Sequence, residues 1–66
     1  MEKVLAHKVI LDGIEYRLSI LEIEDGGRRA RVRPFAGEEA DTAFVNGTIE
    51  ARRDAHGIYR ITKLKI

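Results

Sequence analysis

Apolar and polar residues alternate with a period of two through long stretches of the chain, and turn-forming pairs interrupt the alternation at regular intervals. Asp12-Gly13, Asp25-Gly26-Gly27, Asn46-Gly47 and Asp54-Ala55-His56-Gly57 are the interruptions. Between them lie short segments rich in Val, Ile, Leu, Thr, Tyr and Phe. A period of two between turn signals predicts strands and not helices, because side chains of an extended chain point alternately to opposite faces.

Asp12-Gly13 predicts a two-residue type I′ turn, since both central residues need positive φ. Such a turn pairs Leu11 with Ile14, Val9 with Tyr16, His7 with Leu18 and Leu5 with Ile20, on one mostly apolar face. The other face takes Ile10 with Glu15, Lys8 with Arg17 and Ala6 with Ser19. Lys8 opposite Arg17 is a mild like-charge misfit. A second hairpin turns at Gly26-Gly27, through either a two-residue loop or a four-residue loop over residues 25–28. The two-residue form pairs Asp25 with Arg28, and both forms pair Glu24 with Arg29 and Glu22 with Arg31. The opposite face then pairs Ile23 with Ala30 and Leu21 with Val32. Charge and apolarity agree on a single alignment.

The two hairpins share the strand Ile14–Glu24. Its apolar side is Ile14, Tyr16, Leu18 and Ile20, then switches to Leu21 and Ile23. One flat sheet with one buried face does not accommodate that switch. A bulge or strong coiling at Ser19–Leu21 is expected to bring both halves to one core. Beyond Phe35, Ala36-Gly37-Glu38-Glu39-Ala40-Asp41 reads as an acidic loop or a single helical turn. Thr42–Val45 reads as a short strand. Thr48–Arg53 and Ile58–Ile66 read as a final hairpin whose register stays open, some alignments opposing Arg52 or Arg53 to Arg60. Tyr59 and Ile61, then Leu64 and Ile66, show a second change of face. The expectation is an all-β domain spanning residues 1–66. It is a small antiparallel barrel or orthogonal sandwich of five to six strands, in an order that suits SH3-like and OB-like barrels alike.

Composition narrows the chemistry. With 66 residues the chain forms one domain, too small for a cofactor domain beside a substrate domain. Cysteine is absent, which excludes disulfides and thiolate metal sites. No apolar run reaches the roughly 18 residues of a membrane span. Met1-Glu2-Lys3-Val4 lacks the layout of a signal peptide. The expectations are a cytoplasmic location and no membrane partner. Charged residues make up 35% of the chain yet leave a net charge of +1, which argues against a general attraction to nucleic acid.

The charges are nonetheless segregated along the chain. Residues 28–35 hold Arg28, Arg29, Arg31 and Arg33 with no acid, and residues 51–66 are also basic. Arg29, Arg31 and Arg33 share a face with Phe35. Together with Arg52 and Arg53 they form the candidate interaction face, because arginines beside an exposed ring bind single strands through phosphates and stacking. The acids expected across from Arg28, Arg29 and Arg31 argue the other way, for a solvated face whose field is locally cancelled. Arg33, Arg52, Arg53 and Arg60 have no assigned acid.

Catalytic candidates are weak. Two histidines without cysteine fall short of a metal site. His7 is expected half-buried on the apolar face and His56 exposed in its turn. Ser19, the only serine, faces Ala6 and not a histidine, so it lacks the base a nucleophile needs. Glu38-Glu39 is expected to be a solvated acidic turn. Asp25-Gly26-Gly27-Arg28 does not open a helix after a strand, as a phosphate-binding loop does.

Ile14 to Glu50 runs as a strand, an acidic strand, Asp-Gly-Gly, a strand ending in Arg-Pro, then Phe44-Val45-Asn46-Gly47-Thr48-Ile49-Glu50. This pattern resembles the small β domain at the start of amidohydrolase-type enzymes, which leads into a Pro-Gly-x-Ile-Asp-x-His-x-His metal motif. Here Asn46 stands at the proline and Glu50 at the aspartate, while Arg52 and Asp54 stand at the two histidines. The catalytic barrel of that family would need about 250 further residues. The resemblance implies a β-sandwich-like topology over about half of the chain and carries over no site.

The function expected is a non-catalytic small β module, without a cofactor or metal, that contacts another protein or itself. Tyr59–Ile66 is the expected edge for strand addition, with Lys63 and Lys65 as guards. The alternative is a barrel that binds single-stranded nucleic acid through its Arg-rich face.

Overall fold

A computed structural model describes residues 2–37 and 40–64. It contains five strands: β1 (Glu2–Leu11), β2 (Ile14–Glu24), β3 (Arg29–Pro34), β4 (Ala43–Arg53) and β5 (Tyr59–Leu64). They form one sheet in the order β3-β2-β1-β4-β5. The expected all-β class is observed, with a tight turn at Asp25–Gly27 whose three residues all have positive φ.

Both early hairpins hold the expected registers. Leu11 pairs with Ile14, Val9 with Tyr16 and Leu5 with Ile20. Asp12 and Gly13 adopt φ of 50° and 86°, the positive values a type I′ turn demands. Glu24 pairs with Arg29, Glu22 with Arg31 and Leu21 with Val32. Of the two loop lengths open for this hairpin, the four-residue form is found. β2 ends at Glu24 and β3 begins at Arg29, while Asp25 has φ of 55° and Arg28 has helical φ and ψ of −79° and −22°, so Arg28 lies in the loop and does not pair with Asp25 across strands.

The faces, unlike the registers, depart from expectation. Leu5, His7, Val9 and Leu11 do not share one buried face. Val9 and Leu11 face the core, but beyond His7 the core residues are Val4 and Ala6, opposite Leu21 and Ser19. The change of face is made at Leu18, one residue before the expected Ser19–Leu21 stretch. Leu18 has φ of 43°, a left-handed conformation that turns the strand over. Ala6 and Ser19, expected on the polar face, are therefore buried, and His7 is exposed where half-burial was expected.

Asn46-Gly47 is not a turn between two strands. Ala6 pairs with Val45 and Lys8 with Thr48, so Asn46 and Gly47 together oppose His7 as a bulge inside one continuous strand. Gly47 has φ of 135°, open to glycine and strained for other residues. The bulge lets β4 follow the bend of β1, with which it runs parallel. The remaining neighbours are antiparallel, so the sheet is mixed. The final register is settled with Arg52 opposite Arg60. Lys65 and Ile66, read as the end of that strand, lie outside the described residues, as do Glu38 and Glu39.

The sheet rolls around its inner face without closing by hydrogen bonds. Val4, Ala6, Val9, Leu21, Ile23, Ile49, Ala51 and Tyr59 form the buried cluster, and Ala30, Val32, Val45 and Ile61 pack against it. Each fully buried aliphatic side chain contributes about 1.5–3 kcal/mol. The turn before β3 and the loop before β5 approach each other at Gly27 and Ile58: a Cβ on Gly27 would lie 2.7 Å from Ile58 Cγ2.

Candidate interaction face on the outer side of the sheet

The register places Arg29, Arg31 and Arg33 on the outer side of β3, beside Glu24, Glu22 and Ile20 of β2. Glu22 is only 4% exposed. Arg31 Nε donates to its Oε1 at 2.7 Å and Arg33 Nε to its Oε2 at 3.0 Å. Arg31 Nη2 also reaches Glu24 Oε1 at 3.4 Å. One carboxylate thus holds two guanidinium groups. The Arg33 hydrogen bond, opposed by burial and aided by Arg31, holds Glu22 below its ordinary 4.5. Glu22 in turn raises the pKa of Arg31. Arg33, which had no acid assigned from the sequence, shares that of Arg31, because side chains diagonal across a rung lie within reach of a long guanidinium.

The other candidates are dispersed. Arg52 Nε donates to Glu50 at 2.9 Å and Arg60 Nε to Asp54 at 2.9 Å. These local acids relieve the Arg52–Arg60 opposition. Asp54 also accepts from the backbone N–H of His56 and Ile58 at 2.8 and 3.1 Å. The Ile58 N–H, then Arg60 and the His56 N–H, hold Asp54 below its usual carboxylate value. Arg53 lies over the ring of Tyr59, 4.9 Å from its centroid. The Tyr59 hydroxyl donates to Asp12 Oδ2 at 2.8 Å, and this bond, with burial, raises the pKa of the phenol. Arg29, Arg31 and Arg53 border a hollow of about 230 Å³ shared with Glu22, Glu24 and Ala30. Arg33, Arg52 and Arg60 do not line it.

The sequence reading missed a second feature of the outer side. Leu18 is 46% exposed and Phe44 is 56% exposed. The rings of His7 and Phe44 meet edge to face with centroids 5.4 Å apart. Leu5, Ile20 and Phe44 share one rung across three strands, and Phe35 N–H donates to the Leu18 carbonyl at 3.2 Å. An apolar patch with two rings thus lies next to the compensated arginines. Only the break of alternation at Leu18 hinted at it, because the patch exists only once the strand turns over there.

Ser19 is buried and its hydroxyl donates to the Arg17 carbonyl at 2.9 Å, a structural bond. Among the described residues no group of three or more His, Asp or Glu side chains is placed to hold a metal ion. No helix among them is long and apolar enough to cross a membrane. Comparisons of the chain with protein-family models, with curated proteins and with solved structures return no match.

Proposed function

We propose that this chain is a non-catalytic β module that makes protein–protein contact through the outer apolar patch around His7, Leu18 and Phe44. The proposal includes the cytoplasmic setting expected from the sequence. The observation that carries it is the exposure of Leu18 and Phe44 on one side of a very small domain. Apolar side chains gathered on one surface favour a partner that removes them from water. The arginines beside them have much of their charge answered by Glu22 and Glu24, which weakens their pull on phosphate.

The test is a selection of displayed random peptides on the wild-type chain and, in parallel, on a Leu18→Ser/Phe44→Ser variant. The result expected is a consensus enriched by the wild type alone. No consensus, or one shared by both chains, overturns the reading. Sedimentation over a range of concentrations tests self-association: a dimer that Phe44→Ser dissociates makes a second copy the partner.

A second reading, single-stranded nucleic acid, is favoured by the hollow that Arg29, Arg31 and Arg53 border. Arg29 makes no ion pair among the described residues. This reading predicts oligonucleotide binding that falls steeply with salt. Amide shifts around Arg29, Arg31 and Arg53 on titration with mixed oligonucleotides at low salt would establish it.

A further inference from the structure

The bend of the three central strands leaves a hollow of about 420 Å³ on the outer side, lined by His7, Lys8, Arg17, Leu18, Gly47 and Thr48. Two features of it lack a structural explanation. The first is Leu18, a bulky side chain in a left-handed backbone, which costs of order 1–3 kcal/mol. Glycine would fill that position without strain, and Leu18 recovers little by burial because nearly half of it is exposed. The second is the rung Lys8–Arg17, two cations directly opposite each other. Like charges so placed repel. Lys8 leans to Glu15 at 3.3 Å in an exposed ion pair of small worth. Arg17 has no ion pair among the described residues, and no acid lines the hollow.

We propose that this hollow seats an extended segment of another protein whose carboxylate lies between Lys8 and Arg17 while an apolar side chain about two residues away covers Leu18. The inference rests on the protein-contact reading and names the chemistry of its partner. The spacing follows from the fold. The cationic rung and the Leu18 rung are adjacent, and Leu5–Ile20–Phe44 lies two rungs further along. Side chains on one face of an extended ligand recur about every 6.6 Å, so the one that follows the carboxylate lands on the apolar floor between the Leu18 rung and the Leu5–Ile20–Phe44 rung. A carboxylate between the two cations offsets their repulsion, and the leucine strain is kept because it presents the floor.

The experiment uses synthetic peptides of the consensus selected on the full chain, measured by titration calorimetry. The result expected is a consensus with Asp or Glu two or three positions from Leu, Ile or Phe. Arg17→Glu is expected to weaken its binding about tenfold or more, truncation of one partner of a charge pair acting mostly on dissociation. A peptide with Lys in place of the acid is expected to recover affinity for Arg17→Glu. A consensus without an acid, bound equally by wild type and Arg17→Glu, overturns this inference and leaves the protein-contact reading standing. The absence of any consensus sensitive to Leu18→Ser/Phe44→Ser overturns both. Circular dichroism of each variant confirms that it folds, as expected for exposed positions.

Discussion

Leu18 and Glu22 sit four residues apart on one strand and follow opposite logic. Leu18 is strained and exposed, so its replacement by glycine is expected to raise stability by about 1 kcal/mol in urea denaturation while abolishing selected-peptide binding. A loss of stability instead would make Leu18 a structural residue. Glu22 is buried under Arg31 and Arg33, and Glu22→Gln removes the carboxylate that both guanidinium groups share. The cost expected is about 1–2 kcal/mol, kept low because Arg31 is largely in water. Glu22 titrates below its ordinary 4.5, so folding favours the ionised form. Its contribution is complete above about pH 4.5 and is lost as the pH falls through the lower, folded value. Denaturation midpoints of wild type and Glu22→Gln are expected to converge on acidification below 4.5. A gap that persists at low pH would mean that packing, not charge, explains the loss.

At the scale of elements, the glycines separate turn chemistry from closure. A Cβ on Gly13, at φ 86°, would meet open space, whereas one on Gly27, at φ 96°, would lie 2.7 Å from Ile58 Cγ2. Gly13→Ala is expected to cost about 1 kcal/mol, the left-handed penalty alone. Gly27→Ala adds a clash to that penalty and is expected to cost clearly more, with part of the loss recovered by Ile58→Ala. Equal costs for the two alanines would show that the close approach of Gly27 to Ile58 adds no clash. The hairpins that carry these turns were legible in the sequence, because a short loop fixes its own register and Glu22–Arg31 and Leu21–Val32 agree with it. The strand after the acidic connection was not. Asn-Gly has the same residues whether it reverses the chain or bulges within a strand, and His7 opposite the pair decides which.

For the whole molecule, order of pairing sets order of stability. β1 is bonded on both sides, by β2 and β4, whereas β3 and β5 are edges. Amide exchange is expected to be slowest in β1 around Val4–Ala6 and Val9, and fastest in β3 and β5. Equal protection in β5 would indicate that its free edge is covered, as the strand-addition route to self-association requires. The candidate arginines also belong to this scale. Sequence placed Arg29, Arg31 and Arg33 on one face correctly, but Arg53 joins Arg29 and Arg31 only because the sheet rolls and brings β4 toward β3.

The sequence by itself determined the all-β class, the two early hairpins with their three strands, and the acids beside Arg29 and Arg31. All of these follow from interactions between neighbours along the chain, turn geometry and a period of two. Tertiary structure decided that β4 lies parallel to β1, that the apolar face changes sides at Leu18, and that Leu18, His7 and Phe44 are left facing water. Those features depend on burying both halves of long strands in one core. Residues distant in sequence reach that compromise together, and no local pattern records it.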